Sequence, residues 1–192
     1  MKTIAVFFAL LLLSCGTVGP ARMLYWEETM APSGFQAYCA RDNNYINREE
    51  CGGGWKNRKV GAKVRGFEDL EEVNSLINRR VRPGTDPNLY GAEDYWAIAV
   101  TEGDCEDYAL AKLDELLKRG WPISALSFAT AKTWLGNGHV VLVVSMPDGE
   151  YLLDNLFAIP VPWWLPNYTW EKRQFAGSRV WARIAKPIET NR

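Results

Sequence analysis

The sequence predicts an α+β domain in which two amphipathic helices precede an antiparallel sheet. Three observations support this order: apolar residues at helical spacing over 67–81, a second helical pattern that begins after Asp104, and short strand-like runs from residue 125 onward. Pro83-Gly84 and Gly120 are the predicted ends of the two helices. The predicted strands are 125–132, 140–145, 151–153 and 179–184, with a hairpin turn at Pro147-Asp148-Gly149.

The remaining segments carry weaker patterns. Residues 22–62 are predicted to be irregular, and residues 82–100 are predicted to form a loop, since they contain several prolines and glycines. The sequence has no internal repeat and no interdomain linker, so residues 22–192 are predicted to form a single domain.

Composition fits one globular domain and argues against nucleic acid as a partner. The 192 residues are 47% hydrophobic and 23% charged, and the formal net charge is −1. The basic segments 56–59 and 79–80 are short, which is typical of solvated faces and not of a surface that binds phosphates.

The first 21 residues have the layout of a secretory signal peptide. Lys2 is followed by the uncharged run 4–13, which is too short to span a bilayer. Cleavage after Ala21 fits the small residues there, whereas Leu12-Leu13-Ser14-Cys15 resembles a bacterial lipoprotein box and would place a lipid anchor on Cys15. We therefore expect a periplasmic or secreted protein, lipid-anchored in the second case.

Removal of the signal peptide leaves three cysteines, an odd number for an oxidising compartment. Cys39 and Cys51 are separated by a short polar segment and are the natural disulfide pair. Cys105 is then the free thiol. It is either a reactive residue or a buried structural cysteine, and its acidic neighbours disfavour full burial.

The order of Cys105, His139 and Asp154 is that of a thiol nucleophile with its base and an orienting carboxylate. Cys105 falls in the first turn of the second predicted helix, where free backbone N–H groups stabilise a thiolate. His139 is the only histidine, so no second imidazole could act as the base. Asn155 is the alternative orienting residue.

Strand register raises a difficulty for this triad. A tight turn at Asp148-Gly149 would place Asp154 opposite Val143, and His139 would then lie roughly 13 Å away along the strand. A looser turn at Met146-Pro147, or a bulge, would bring the two side chains together.

Three carboxylates, those of Asp104, Glu106 and Asp107, flank the cysteine. Their negative charge should raise the pKa of the thiol and suppress the thiolate. They could simply cap the helix and complement its dipole. Alternatively, they could bind a divalent cation, and oxygen ligands in an exported protein favour calcium.

Four segments together resemble the bacterial transglutaminase-like cysteine proteinases: Asp94-Tyr95-Trp96, residues 103–112, residues 139–144 and residues 151–155. The resemblance implies a papain/transglutaminase-like fold. In that fold the catalytic cysteine begins a helix packed on an antiparallel sheet that carries the histidine and the aspartate. It assigns these roles to Cys105, His139 and Asp154.

The same resemblance implies calcium dependence through Asp104 and Glu106, with Asp107 as a further ligand. It also implies a large surface adhesin as the substrate, cut in its N-terminal region so that cells leave a biofilm, and an inner-membrane receptor that sequesters the enzyme. Trp96 could donate its indole N–H to an oxyanion, as in transglutaminases, or could be a core residue. Two other functions stay open, namely acyl transfer to an amine and binding without catalysis.

Overall fold

The computed structural model describes residues 22–41, 49–52 and 66–185. The predicted signal peptide and Cys15 lie outside the described residues. Four helices and nine strands are described. The helices are α1 Ser33–Arg41, α2 Phe67–Arg80, α3 Asp86–Tyr90 and α4 Cys105–Lys118. The strands are β1 Tyr25–Thr29, β2 Arg82–Pro83, β3 Glu102–Gly103, β4 Leu126–Lys132, β5 Gly138–Met146, β6 Gly149–Leu153, β7 Val161–Pro162, β8 Thr169–Gln174 and β9 Trp181–Ile184.

Seven strands form one antiparallel sheet in the order β1-β9-β8-β4-β5-β6-β7. Strand β5 lies inside this sheet and is covered on both faces. Val140, Leu142 and Val144 face the core under the helices, whereas Val141 and Val143 belong to a second core on the other face. Burial on both faces explains why residues 140–144 are a continuous apolar run instead of an alternating one. The predicted α+β class with an antiparallel sheet is confirmed.

Helix α4 packs against β5 and against α2. The buried side of α4 includes Leu110, Leu113, Leu116 and Leu117, which recur at the spacing predicted from the sequence. This packing fixes the first turn of α4 at the end of the sheet where β5 begins.

The predicted irregular structure of residues 22–62 is wrong where the structure describes them. Tyr25–Thr29 is strand β1, at the edge of the sheet, and Ser33–Arg41 is helix α1. The side chains of β1 are mostly exposed, so the strand lacks the alternation by which a half-buried strand is recognised. The loop predicted over 82–100 likewise contains the short strand β2 and helix α3.

The predicted disulfide between Cys39 and Cys51 is present, with 5.6 Å between the two Cα atoms. It joins α1 to a single 3-10 turn, Glu49–Cys51, and both cysteines are buried. Cys105 is the free cysteine of the described residues.

We expect the double substitution Cys39→Ala/Cys51→Ala to lower the free energy of unfolding by about 3 kcal/mol, because the open chain gains the loop entropy that the bridge removes. Urea titration of the wild type and the double variant measures this difference. Cys105→Ala, which retains the bridge, is the control. Equal urea midpoints for the double variant and the wild type would contradict the prediction.

No helix within the described ranges is long and apolar enough to cross a lipid bilayer.

Candidate active site

Cys105 is the first residue of α4, as predicted, and its side chain is partly buried. Its sulfur lies beside strand β5, where the backbone N–H of Val140 is a hydrogen-bond donor that favours the thiolate. Asp104 occupies the N-cap position predicted for it, with an extended backbone, although its side chain makes no hydrogen bond of capping geometry. Burial and the charge of Asp86 raise the pKa of its carboxyl group, and hydrogen bonds with Glu106 and the Asp107 backbone act in the opposite direction.

His139 and Asp154 form a buried pair. The Nε2 atom of His139 lies 2.9 Å from Oδ1 of Asp154, and the two residues are 6% and 1% exposed. The pairing of β5 with β6 accounts for this contact, since Met146 faces Gly149 and the turn consists of Pro147 and Asp148. Neither the tight turn considered at Asp148-Gly149 nor the looser turn at Met146-Pro147 is present, because a two-residue turn forms at Pro147-Asp148. The 13 Å separation therefore does not arise.

Asp154 accepts two further hydrogen bonds. The backbone N–H of Leu156 donates to Oδ1 and the Tyr168 hydroxyl donates to Oδ2, each at 2.8 Å. Burial alone would raise the pKa of Asp154, but the hydrogen bond and charge of His139, with these two donors, hold it below its ordinary value. Asp154 is thus suited to remain ionised and to fix the orientation of the imidazole.

The contact with Asp154 defines the roles of the two ring nitrogens of His139. A carboxylate only accepts hydrogen bonds, so Nε2 carries the proton in the neutral ring and Nδ1 is left as the basic nitrogen. Asn155, the alternative orienting residue, does not take this contact, and its Oδ1 is buried without a hydrogen-bond partner among the described residues.

The Cys105 thiol donates a hydrogen bond to Oε2 of Glu106 at 3.0 Å. Burial raises the pKa of the thiol well above its ordinary value, and the charge and hydrogen bond of Glu106 and the charge of Asp104 raise it further. In this arrangement the carboxylate next in sequence holds the thiol proton in place.

Five carboxylates surround the start of α4. Oxygen atoms of Asp86, Asp94 and Glu106 lie within 4.8 Å of one another, and so do oxygen atoms of Asp86, Asp104 and Asp107. The three predicted ligands are therefore divided between two overlapping groups that share Asp86.

Asp86 and Asp94 were not predicted as ligands. Asp86 begins the short helix α3, and Asp94 lies in the segment between α3 and β3. Nothing in local spacing connects either residue to Cys105. The only signal was the motif Asp94-Tyr95-Trp96, which carried part of the family resemblance.

The electrostatics of the five carboxylates fit a cation. Burial, followed by the charge of Asp104, raises the pKa of Glu106 to about 8. Burial also raises the pKa of Asp107 to about 7, with contributions from Asp104 and Asp86, although the Ala97 N–H and the Tyr90 hydroxyl act in the opposite direction. Oδ1 of Asp86 and Oδ1 of Asp104 are buried without a hydrogen-bond partner. Converging oxygens with unused lone pairs are the donor set that calcium prefers.

Two close backbone approaches shape this cluster. A Cβ atom on Gly103 would lie 2.6 Å from Cβ of Asp107, and one on Gly34 would lie 2.0 Å from Oδ1 of Asp94. Asp94 accepts hydrogen bonds from the Gly34 N–H at 2.7 Å and the Trp96 indole N–H at 3.0 Å. A side chain at either glycine would displace a carboxylate from the cluster.

Trp96 is a core residue, 1% exposed, and its ring packs against Phe35 and Phe128. Its indole N–H is donated to Asp94, so it is engaged with the carboxylate cluster and not directed at an oxyanion.

Comparison with known proteins agrees with these features. Residues 25–189 match the family model described as bacterial transglutaminase-like cysteine proteinase BTLCP. Legionella pneumophila LapG in its calcium-bound form is 25% identical, with a TM-score of 0.54 over 82% of this chain and 86% of that chain. The EGTA-treated form is also 25% identical, with a TM-score of 0.54 over 81% and 80%. No curated protein sequence matches significantly.

The family model spans most of the sequence, including the residues around Cys105 and both core clusters apart from Met23. The fold is shared with LapG, and its class, helices with an antiparallel sheet, is the one predicted. The chain therefore belongs to the bacterial transglutaminase-like cysteine proteinase family and is a LapG-type cysteine peptidase.

Proposed function

We propose that this protein is a calcium-dependent endopeptidase in which Cys105 is the nucleophile, His139 the base and Asp154 the orienting carboxylate. The observation that carries the proposal is the buried hydrogen bond between His139 and Asp154 at the start of β5, the strand against which the Cys105 helix packs. A side chain triad of this kind is what thiol nucleophiles require.

Acylation begins when Nδ1 of His139 takes the thiol proton and the sulfur attacks the peptide carbonyl carbon. The developing oxyanion lies at the start of α4, where the backbone N–H of Cys105 has no partner within its helix. The C–N bond then breaks, and the imidazolium gives its proton to the leaving amine. A thioester on Cys105 remains.

Deacylation repeats these steps with water. Nδ1 of His139 takes a proton from the water, the hydroxide oxygen attacks the thioester carbonyl, and the C–S bond breaks. The thiolate recovers the proton from the imidazolium. Throughout both steps Asp154 holds Nε2–H and balances the positive charge on the ring.

Calcium would be held by the carboxylates of Asp86, Asp94, Asp104, Glu106 and Asp107, and it would supply a positive charge beside the thiol. A cation bound to Glu106 would weaken the competition of that carboxylate for the thiol proton. The calcium-bound and EGTA-treated forms of LapG support calcium as the ion.

The proposed substrate is a large bacterial surface adhesin, cleaved in its N-terminal region so that cells are released from a biofilm. The enzyme would meet it in the periplasm or outside the cell if residues 1–21 act as the predicted signal peptide, and would be lipid-anchored if Cys15 is modified. The proposed partner is an inner-membrane receptor that sequesters the enzyme. The sequence motifs shared with the family support these assignments.

Mass spectrometry of new protein termini tests the substrate. Cells that carry the wild type should release an adhesin fragment with a new N-terminus, and cells that carry Cys105→Ala should not. An added primary amine separates hydrolysis from acyl transfer, because a transferase would leave the amine on the new C-terminus. Identical termini in both strains, or products that carry the amine, would contradict the proposed endopeptidase.

We expect Asp154→Asn to reduce kcat/KM by about a hundredfold or more, because an amide no longer fixes the tautomer of His139 or balances its charge. Asn155→Ala is the matched control, since Asn155 makes no contact with the imidazole, and it should stay within about threefold of the wild type. Comparable losses of kcat/KM in the two variants would show that a disturbance of this loop, and not the loss of the Asp154 carboxylate, lowers activity.

A further inference from the structure

Tyr168 contacts both His139 and Asp154, although it is not one of the three proposed triad residues. It lies just before β8 and is 8% exposed. Its hydroxyl donates to Oδ2 of Asp154 at 2.8 Å. The centre of its ring lies 5.5 Å from that of the His139 ring, and the two planes meet at 75°. One side chain therefore touches both members of the buried pair.

The two carboxylate oxygens of Asp154 have different partners. Oδ1 faces Nε2 of His139 at 2.9 Å and accepts the backbone N–H of Leu156, two residues further along the chain. Among the described residues, the donor to Oδ2 is the Tyr168 hydroxyl. The last torsion of an aspartate side chain has broad energy wells, so a carboxylate held at one oxygen turns easily. A donor on Oδ2 opposes this rotation and keeps Oδ1 directed at Nε2.

The Tyr168 ring is itself held by neighbouring aromatic rings. It stacks on Trp134 with 6.0 Å between the ring centres and 13° between the planes, and Trp170 meets it at 5.6 Å and 68°. Trp134 belongs to the turn between β4 and β5, which is closed by a hydrogen bond from the Thr133 N–H to the Asn137 carbonyl at 2.9 Å. Stacked and edge-to-face contacts restrict the ring, so they also fix the direction of its hydroxyl.

We propose that Tyr168 is a positioning residue that orients the Asp154 carboxylate toward His139. It acts by opposing rotation of the carboxylate, and its ring covers one side of the imidazole. Burial and the charge of Asp154 raise the pKa of the Tyr168 hydroxyl, so the hydroxyl stays protonated and remains a donor at neutral pH. The inference rests on the roles proposed above for His139 and Asp154.

The proton on Nε2 of His139 reports this positioning without any substrate. Because the chain has a single histidine, ¹⁵N-histidine labelling of protein purified without a histidine tag identifies its ring signals by NMR. We expect Tyr168→Phe, which keeps the ring and loses the hydroxyl, to speed exchange of this proton with water by about tenfold or more in excess calcium. The reason is that the carboxylate protecting the proton is then free to turn away.

Tyr38→Phe is the matched control for this measurement. The Tyr38 hydroxyl also donates to a buried carboxylate, that of Glu50, at 2.7 Å, but it does so in helix α1 beside the disulfide. Its removal should therefore leave the exchange rate of the His139 proton within about twofold of the wild type.

Kinetics separate positioning from substrate binding. Tyr168→Phe should lower kcat by about tenfold or more and leave KM within about twofold, because the orientation of His139 matters in the transition state and not for binding. In the Asp154→Asn background the same substitution should lower kcat by less than about twofold, since no carboxylate remains to be oriented. An equally large loss in both backgrounds would overturn the proposal.

Trp134→Ala takes the place of Tyr168→Phe if that variant fails to fold. Trp134 is 57% exposed, and its removal frees one face of the Tyr168 ring, so faster exchange is expected again. Trp26→Ala, at an exposed site on the edge strand β1, is its control. A His139 proton that exchanges no faster in the variant than in its control would overturn the proposal. Faster exchange in a protein whose wild type cleaves nothing would contradict the proposed function alone.

Discussion

Cys105→Ala and His139→Ala are expected to reduce proteolysis by about a thousandfold or more, because each removes a group that no other residue replaces. Cys105→Ala leaves no free thiol among the described residues, and the sequence contains no second histidine. His139→Gln should be as inactive as His139→Ala. Its amide can still donate to Asp154 but provides no base. The measurement is kcat/KM on a peptide that spans the cleavage site found by terminal proteomics.

Stability separates catalytic loss from unfolding in these variants. Cys105→Ala removes the weak hydrogen bonds that the sulfur makes with Glu106 and with the backbone N–H of Val140, so its melting temperature should stay close to that of the wild type. His139→Ala leaves a buried carboxylate with two donors, those of Leu156 and Tyr168, and we expect a cost of about 1–3 kcal/mol. Normal cleavage by a folded His139 variant would show that a different base operates.

The helices around the site could be predicted because their signals are local. Helix α2 ends at Arg80, shortly before Pro83-Gly84, and α4 begins immediately after Asp104. Apolar spacing and chain-breaking residues act within a few positions of each other, so one sequence is enough to locate them. The free thiol of Cys105 followed from the odd cysteine count, and the structure confirms Cys39–Cys51 as the disulfide.

The contact between His139 and Asp154 could not be derived from the strands alone. It depends on whether the turn is Pro147-Asp148 or Asp148-Gly149, a choice that shifts the pairing by two residues. A proline in the turn is compatible with several geometries, and the two registers leave the same side chains on each face. Local sequence therefore predicts the hairpin but not its register.

The carboxylate cluster was incomplete in the prediction for a different reason. Asp104, Glu106 and Asp107 are adjacent in sequence, whereas Asp86 reaches the same place only because α3 packs beside the start of α4. Such a convergence is a property of the tertiary structure, and spacing along the chain carries no information about it.

Removal of calcium is expected to abolish proteolysis reversibly. The pKa of Cys105 is raised by burial, by Glu106 and by Asp104, so without a cation little thiolate forms at neutral pH. We expect EGTA to slow alkylation of Cys105 by iodoacetamide about tenfold or more at pH 7, since one pKa unit changes the thiolate fraction about tenfold. Added calcium should restore both alkylation and cleavage. Magnesium should not, because it demands a stricter octahedral geometry.

Without calcium, the stability of the folded protein should fall as the pH rises. Without calcium the pKa of Glu106 is raised from 4.5 to about 8, and that of Asp107 from 3.8 to about 7, in the folded protein. The folded state then binds more protons than the unfolded state across this range, so stability falls as the pH rises from about 4 to about 8. With calcium the carboxylates bind as anions, and the melting temperature should rise with the logarithm of free calcium.

Asp86→Asn distinguishes a metal site from a general effect of charge on the thiol. Asp86 belongs to both oxygen groups, while its charge is not among the main causes of the raised pKa of Cys105. We expect the variant to need at least about tenfold more calcium for half-maximal cleavage, since one ligand charge is lost. Asp114→Asn, at a half-exposed site where the carboxylate pairs with Lys118, should leave the requirement unchanged. Full activity of the wild type in excess EGTA, with no calcium-dependent shift in melting temperature, would mean that the carboxylates serve only to polarise the start of α4.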